Sequence, residues 1–153
     1  MAFDDRPQQL VSLTAYLLSQ VAKIAKNELD DQLSRRGLRL RHMAVLAVAG
    51  EGPVSQLELT RRLNIDPSDV TATVDDLENA ALVARTVDPT DRRRRLVTMT
   101  AGGRREMARL TAMAQQIADA LLEPVPPRRR QQLHDDLRRV LLAHDDRQDQ
   151  PDA

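Results

Sequence analysis

Residues 83–100 read VARTVDPTDRRRRLVTMT and place four consecutive arginines, Arg92 to Arg95, between two runs typical of β-strands. β-Branched residues lead up to Val87, and a strand-like run resumes at Leu96. Between them lies Asp88-Pro89-Thr90-Asp91. Asp favours the first position of a type I turn and Pro presets φ at the second, so this stretch predicts a β-hairpin whose tip carries the arginines.

The arginine run stands out against a balanced chain. The 153 residues include 23 basic and 23 acidic side chains, whereas the segment from Arg85 to Arg105 has seven arginines and two aspartates. One interpretation is an ordinary solvated surface, and the other is a contact with an anionic partner. Because the net charge is zero, any attraction to nucleic acid must come from this local segregation of charge.

Composition excludes several functional classes. The chain has no cysteine, which removes disulfides and thiol switches, so any effector is predicted to be a small molecule and not an oxidant. Phe3 and Tyr16 are the only aromatic residues, which argues against modules that stack single-stranded bases. His42, His134 and His144 are too scattered for a familiar metal site, so no metal or other cofactor is predicted. No nucleophile has a supporting acid and base, and no enzymatic activity is expected.

The sequence also predicts no targeting signal. The acidic N-terminal stretch MAFDDRPQQL does not resemble a signal peptide, and no uncharged apolar run approaches the length of a membrane span. We therefore predict a cytoplasmic protein with no membrane partner.

The first half of the chain shows helical periodicity. A long first helix is predicted to end near Gly37, because apolar residues recur at spacings of three and four at Leu10, Leu13, Leu17, Val21 and Ile24. A second helix is predicted from about Leu40 to the GEGP segment at residues 50–53.

Two shorter helices with clear start signals follow. Ser55 with Glu58 three residues later is typical of a capping box, and that helix is predicted to end near Asn64. Asp66 and Pro67 fit the N-cap and first position of the next helix. Its predicted buried residues are Val70, Val74, Leu77 and Ala81. Two short helices joined by a tight turn form a helix-turn-helix, and the hairpin after them makes a winged helix.

The last third is again helical. Thr100 is a plausible N-cap for a helix whose apolar residues follow a heptad-like seam at Met107, Leu110, Ala114, Ile117 and Leu121. PVPP at residues 124–127 interrupts it, and a final helix carries Leu133, Leu137, Val140 and Leu141. An acidic tail at residues 146–153 is expected to be disordered.

The predicted fold class is mainly α with a small β-hairpin wing: a winged helix-turn-helix flanked by N- and C-terminal dimerisation helices. The predicted organisation is an N-terminal helix in 1–37, a DNA-binding lobe in 38–102, dimerisation helices in 103–145, and the tail. This layout favours a homodimer with two DNA-binding lobes.

The chain resembles the multiple antibiotic resistance regulator (MarR) family. GLRLRHMAVL at residues 37–46 is similar to the family's second helix, although Arg39 replaces the usual Ser or Thr cap and His42 a common Gln. SQLELTRRLNIDPSDVTATVDDLENAALVAR at residues 55–85 resembles its helix-turn-helix, and DPTDRRRRLVTMTAGG at residues 88–103 its wing. The wing is the more specific match.

The resemblance implies a homodimeric transcription factor, a repressor, that binds a pseudo-palindromic site in double-stranded DNA and is released by a small aromatic or anionic ligand. It also implies that Arg93 enters the minor groove while Asp91 braces its guanidinium; arginine suits a narrow minor groove on physical grounds as well. The candidate DNA-binding residues are Ser55, Arg61, Arg62, Ser68, Thr71, Ala72, Asp75, Asp91, Arg92, Arg93 and Arg94.

The predicted recognition helix departs from the family pattern. Its outward face is expected to carry Ser68, Ala72, Asp75 and Asn79, and residues 66–78 include five acids and no base. Aspartates near phosphates are repelled, although Asp75 could accept from a cytosine amino group. The alternative function is therefore a winged-helix module that binds another protein, with weak or no DNA binding.

Three further residues form a candidate ligand pocket. Tyr16, Arg39 and His42 offer an aromatic ring, a cation and an imidazole, which together suit an anionic ring compound. Tyr16 as an apolar filler of the core or interface is the competing interpretation.

Overall fold

The computed structural model describes residues 6–148, which form seven helices and three short strands. In chain order these elements are α1 (Gln8–Val11), α2 (Thr14–Ser34), α3 (Leu40–Glu51), β1 (Val54–Ser55), α4 (Gln56–Leu63), α5 (Pro67–Asn79), β2 (Val83–Val87), β3 (Arg95–Met99), α6 (Ala101–Leu121) and α7 (Pro127–Gln148). The predicted fold class, mainly helical with a small antiparallel wing, is confirmed. The last helix extends into the predicted tail, whose residues 149–153 lie outside the described residues.

Helix α4 begins and ends where the sequence predicts, and α5 begins where the sequence predicts. The Ser55 hydroxyl accepts the Glu58 main-chain N–H at 3.2 Å and caps α4. Asn64 ends α4 in the left-handed conformation, at φ 49°, a region that Asn tolerates better than most residues. Asp66 and Pro67 occupy the N-cap and first turn of α5, although the Asp66 side chain makes no capping hydrogen bond.

The predicted hairpin is part of a three-stranded sheet in the order β1-β3-β2. Strands β2 and β3 pair antiparallel with Arg85 opposite Val97. On the other side of β3, Val54 pairs with Val97 and Ser55 with Leu96. Strand β1 was not predicted, because a strand of two residues is too short to show a period of two.

A single apolar cluster lies beneath the helix pair and the sheet. Its fully buried members include Leu33, Val45, Leu46, Leu59, Val70, Val74, Leu77, Val83, Val97 and Leu110. Ala81 was predicted in this core, and that prediction is wrong: α5 ends at Asn79, and Ala81 is an exposed turn residue with φ 57°. Thr73 is buried instead, and its hydroxyl donates to the Asp69 carbonyl at 2.7 Å.

The predicted long first helix is in fact two helices. Leu13 adopts an extended conformation between α1 and α2, and the Ser12 hydroxyl donates to the Gln9 carbonyl at 2.9 Å. Serine side chains that bond nearby carbonyls compete with continued helix formation. Helix α2 ends at Ser34, three residues before Gly37, which has φ 70°.

The chain divides into two compact units, the first ending at Ile117 and the second beginning at Ala118. The predicted seam on α6 is used differently along its length. Leu110 is 0% exposed in the core of the first unit, and Met107 packs against that core. Leu110 therefore packs within its own chain, and the predicted dimerisation through the seam stays a prediction for its remaining residues.

In the second unit, α7 begins at Pro127 after the predicted interruption. Arg130 holds the connection by donating to the Val125 carbonyl at 2.6 Å and the Glu123 carbonyl at 3.0 Å. These carbonyls lie beyond the end of α6, where no helical partner is available.

Candidate nucleic-acid interface

Two linked turns build the tip of the wing. Asp88 is buried, and its carboxylate accepts from the main-chain N–H and the hydroxyl of Thr90 at 2.8 and 2.7 Å. The Asp88 N–H donates to the Arg94 carbonyl at 3.0 Å, and the Arg94 N–H donates to the Asp91 carbonyl at 2.9 Å. The Thr90 hydroxyl and N–H lower the pKa of Asp88, with Arg94 contributing in the same direction. The backbone of the tip is thus fixed by its own hydrogen bonds.

Asp91 contributes to that fixation in a way the sequence did not predict. Its carboxylate accepts the main-chain N–H of Arg93 at 2.9 Å, which forms an Asx-turn. The predicted brace on the Arg93 guanidinium is therefore replaced by a brace on the backbone. The main chain at Arg93 is held by this bond, and the residue is exposed.

The arginines of the tip are exposed and mostly unpaired. Within residues 6–148, the guanidinium groups of Arg92, Arg93 and Arg95 make no ion pair. Arg94 lies 3.8 Å from the Asp88 carboxylate through its Nε, at the limit of an ion pair. The tip therefore presents a concentrated positive charge.

Helix α5 presents the outward face predicted from its periodicity. Val70, Val74 and Leu77 are buried, and the opposite side is exposed. The exposed residues are Ser68, Thr71, Ala72, Asp75, Asp76 and Asn79. Of the candidate DNA-binding residues, Ser68 and Ala72 stand on this face with small side chains.

Basic residues of other elements pair with the acids of α5. Arg41 of α3 lies 3.5 Å from the carboxylate of Asp69 near the start of α5. His42, also on α3, is 3% exposed and lies 3.1 Å from Asp76 through Nε2. The acids that motivated the protein-binding alternative are thus largely engaged within the fold.

Arg85 of β2 connects side chains of α4 and α5 in one polar network. Its guanidinium donates to the carboxylates of Asp75 and Glu78, and its Nε donates to the Gln56 side-chain oxygen at 3.3 Å. Its main-chain N–H donates to Glu78 at 3.0 Å. The main-chain N–H and the guanidinium of Arg85 together lower the pKa of Glu78. Nothing in the local sequence around Arg85 signals these partners, which lie on α4 and α5.

Two predicted DNA-binding hydroxyls have partners inside the protein. Thr71 accepts from the Gln56 side-chain amide at 3.0 Å and donates to the Pro67 carbonyl at 3.0 Å. Ser55 is buried and its hydroxyl caps α4, so we assign it a structural role. Asp75 is held by Arg85, which reduces its freedom to accept from a base.

Arg61 and Arg62 are exposed on α4. Arg61 lies 2.8 Å from Glu58, one turn before it, and Arg62 lies 2.6 Å from Glu51 of α3. The guanidinium of Arg61 lowers the pKa of Glu58. Exposed ion pairs of this kind contribute little stability, so either arginine can exchange its partner for a phosphate.

Tyr16, Arg39 and His42, the three residues of the predicted ligand pocket, line neither of two open cavities found in the first unit. His42 Nδ1 accepts the Arg39 main-chain N–H at 2.9 Å, so the ring proton is on Nε2 and points to Asp76. Two open cavities in the first unit, of about 370 and 190 Å³, are lined by other residues of α3, α4 and the wing. The pocket of Tyr16, Arg39 and His42 stays a prediction.

Among residues 6–148, no group of three or more His, Asp or Glu side chains could hold a metal ion. Nor is any helix in that range long and apolar enough to span a membrane.

Known proteins are similar to this chain in sequence and architecture. Residues 36–94, from the end of α2 to the tip of the wing, match the sequence model of the MarR family. The HTH-type transcriptional repressor Rv2887 of Mycobacterium tuberculosis is 31% identical over 124 residues, covering 71% of this chain and 89% of that protein.

Solved structures of related proteins superpose on the chain as well. A MarR-family transcriptional regulator from Rhodococcus sp. RHA1 is 31% identical with a TM-score of 0.71, covering 88% of this chain and 97% of that one. CouR from Rhodococcus jostii RHA1, solved bound to p-coumaroyl-CoA, is 32% identical with a TM-score of 0.68, covering 88% and 95%. With the helix pair and wing in the expected order, the chain belongs to the MarR family of winged-helix transcriptional regulators.

Proposed function

We propose that this regulator is a homodimeric repressor that binds a pseudo-palindromic site in double-stranded DNA. The observation that carries the proposal is the wing tip, where Arg92 and Arg93 are exposed and lack an acidic partner among residues 6–148. A fixed backbone with free arginines suits a narrow minor groove, where the negative potential is enhanced. The outward face of α5 then faces the major groove, as in other helix-turn-helix proteins.

The helix pair supplies additional phosphate contacts in this proposal. Arg61 and Arg62 are both exposed on α4, beside Glu58 and Glu51 respectively. Contacts to phosphates position a protein on DNA without reading its sequence. Specificity therefore depends on Arg93 in the minor groove and on the small residues Ser68 and Ala72 of α5.

The binding experiment begins by selecting bound fragments from genomic DNA and titrating Arg93→Ala on the selected site at several salt concentrations. Removing a groove arginine should weaken binding by about 1–3 kcal/mol per contact and reduce the salt slope by about one for each phosphate charge no longer matched. Arg95→Ala is the matched control, because it removes the same charge at the first residue of β3 and leaves Arg92 and Arg93 in place. If Arg93→Ala binds like the parent while Arg61→Ala or Arg62→Ala abolishes binding, the wing does not carry the affinity.

Dimerisation is supported by apolar side chains left exposed in the single chain. On α2 these are Leu17, Leu18, Val21 and Ile24, and on α7 they are Leu137, Val140, Leu141 and Leu142. Val140 is 67% exposed, which is costly for an isolated chain and is relieved by a second copy. Sedimentation at micromolar concentration should give a dimer; a stable monomer would contradict the two-half-site model.

A small-molecule effector is the remaining part of the proposal. CouR, a relative by sequence and fold, was solved with p-coumaroyl-CoA, which is both aromatic and anionic. We propose that a compound of this class releases the DNA and that Tyr16 and Arg39 contribute to its site. Aromatic acids and their thioesters should be screened for release of the operator. Unchanged release in both Tyr16→Ala and Arg39→Ala would contradict that site.

The same DNA titrations distinguish the proposed DNA-binding function from the protein-binding alternative. A DNA-binding regulator shows a steep fall of log affinity with log salt on random duplex, whereas a protein-interaction module shows little binding at any salt. Because the acids of α5 are engaged by Arg41, His42 and Arg85, the main reason for that alternative is weakened.

A further inference from the structure

The acidic character of α5 poses a physical problem for the proposed function. Five carboxylates and no basic residue occupy positions 66–78, on the helix that would face the DNA. Like charges brought together across an interface oppose binding, and the phosphate backbone dominates the field near DNA. Some part of the fold must compensate these carboxylates when the helix approaches a duplex.

Arg85 is placed to do this at the centre of the helix. Its guanidinium bonds two carboxylates of α5 at once, Asp75 and Glu78, and its side chain is only 20% exposed. The main chain of Arg85 is also held in place. Arg85 pairs with Val97 in the wing sheet, and its main-chain N–H donates to Glu78. By contrast, Arg41 reaches a single acid, Asp69, at the start of the helix.

The network also determines which groups of α5 stay available. Through Gln56, Arg85 is connected to the Thr71 hydroxyl, which is itself bonded to the Pro67 carbonyl. Asp75 and Thr71 are thereby engaged within the protein. Ser68 and Ala72 are exposed on the same face, and Ser68 makes no side-chain hydrogen bond within the described part of the chain.

We propose that Arg85 is a positioning residue that acts as a built-in counter-ion for the recognition helix. By holding the carboxylates of Asp75 and Glu78 against the wing, it allows an acidic helix to lie against DNA and leaves Ser68 and Ala72 to contact base edges. This inference rests on the proposed DNA binding. Its distinctive consequence is that the need for Arg85 disappears when its two acids are neutralised.

The test compares four variants with the parent on the selected operator at two salt concentrations, with folding followed by thermal melting. Arg85→Gln should reduce affinity by about tenfold or more at low salt, because two carboxylates lose their counter-ion. Arg85→Gln combined with Asp75→Asn and Glu78→Gln should recover most of that loss. Asp75→Asn with Glu78→Gln alone, which keeps Arg85, should bind at least as tightly as the parent and with a steeper salt slope.

The fourth variant is a control that breaks another ion pair between elements. Arg36→Gln removes the 3.0 Å contact from Arg36 to Glu106, which joins α6 to the segment after α2, and should leave DNA affinity unchanged. If Arg85→Gln does not fold, the double variant Asp75→Asn, Glu78→Gln still tests the proposal. Weaker DNA binding by this double variant than by the parent would overturn the counter-ion role. A triple variant that folds but binds DNA as weakly as Arg85→Gln would also overturn the counter-ion role.

Failure of this inference is distinguishable from failure of the proposed function. If the parent binds the operator and Arg93→Ala weakens it, the proposed function stands whatever the Arg85 variants do. If the parent binds no duplex at any salt concentration, both the DNA-binding proposal and the Arg85 proposal are overturned.

Discussion

Helix α5 and the wing tip are both highly charged, and the fold treats their charges in opposite ways. The helix has five acids and no base over residues 66–78. Three of those acids pair with an arginine on α3 or β2, and a fourth, Asp76, lies against His42 of α3. The tip has four arginines in succession, and three of them make no ion pair within residues 6–148. A helix packed between other elements has partners within reach, whereas a projecting tip does not. Unpaired charge is therefore concentrated where an external partner can meet it.

The largest expected effect is a loss of stability from a substitution where both α5 and the wing pack against α6. Gly103 of α6 packs so closely that an added Cβ would lie 2.0 Å from the Leu82 carbonyl oxygen and 2.8 Å from Met99 Cγ. Leu82 follows the end of α5 and Met99 ends β3, so Gly103→Ala must displace one of them. We expect a loss of about 3 kcal/mol in the free energy of unfolding, measured with urea.

Gly102→Ala is the matched control for that substitution. A Cβ there would approach the Ala81 carbonyl oxygen at 3.3 Å, which a small shift accommodates. Equal destabilisation by the two alanines would show that the close contact at Gly103 is not what limits substitution.

A second prediction concerns the helix pair alone. Ser55→Ala removes the cap of α4 and should lower the free energy of unfolding by about 1 kcal/mol. Operator affinity of the folded variant should equal that of the parent, because the Ser55 hydroxyl is buried and bonded to the Glu58 N–H. Urea unfolding and DNA titration measure the two quantities. Reduced affinity at unchanged stability would instead restore Ser55 as a DNA contact.

The third prediction concerns the wing, where a substitution should affect DNA binding more than stability. Asp91→Ala removes the acceptor of the Arg93 N–H and should change the free energy of unfolding by less than about 0.5 kcal/mol, as for other surface sites. It should weaken operator binding, but by less than Arg93→Ala, because the arginine itself remains. DNA titration beside Arg93→Ala provides the comparison. A large stability loss would show that the tip is part of the cooperative core.

The smallest effect is an acid dependence of stability. The pKa of Glu78 is lowered by Arg85, so in acid the folded protein binds fewer protons at this site than the unfolded chain does. Stability from this pair is complete above the ordinary pKa of Glu78 and is lost as the pH falls through the lowered value. Thermal melting from neutral pH to below about pH 4 should show a shallower decline in Glu78→Gln than in the parent. A parallel decline in both would contradict the pairing.

Local signals in the sequence determined much of the architecture. The Ser55 cap, the Asn64 end of α4, the Pro67 start of α5 and the Thr100 cap of α6 are present as predicted, with the Thr100 hydroxyl accepting the Gly103 N–H at 2.9 Å. Each depends on residues within about four positions of one another, so the sequence itself contains the interaction. The turn between β2 and β3 is likewise a feature that depends on residues close together in the sequence.

The errors concern features that depend on the surroundings. Strand β1 exists because Val54 and Ser55 lie beside β3, and Ala81 leaves the core because α5 ends two residues earlier. Leu110 fits a heptad seam equally well whether it packs on its own core or on a second subunit. Periodicity identifies the apolar face of a helix but not what covers that face.

The sequence by itself determined the winged helix, the outward face of α5 and the arginines at the tip. Only the tertiary structure decided how the charges are matched. Arg85 meets Glu78, Asp75 and Gln56 at separations of 7, 10 and 29 residues, across three elements. Asp91 meets a backbone N–H two residues away, where the sequence suggested a side chain. Charge matching depends on distances of a few ångströms between elements, and those distances are set when the apolar core packs.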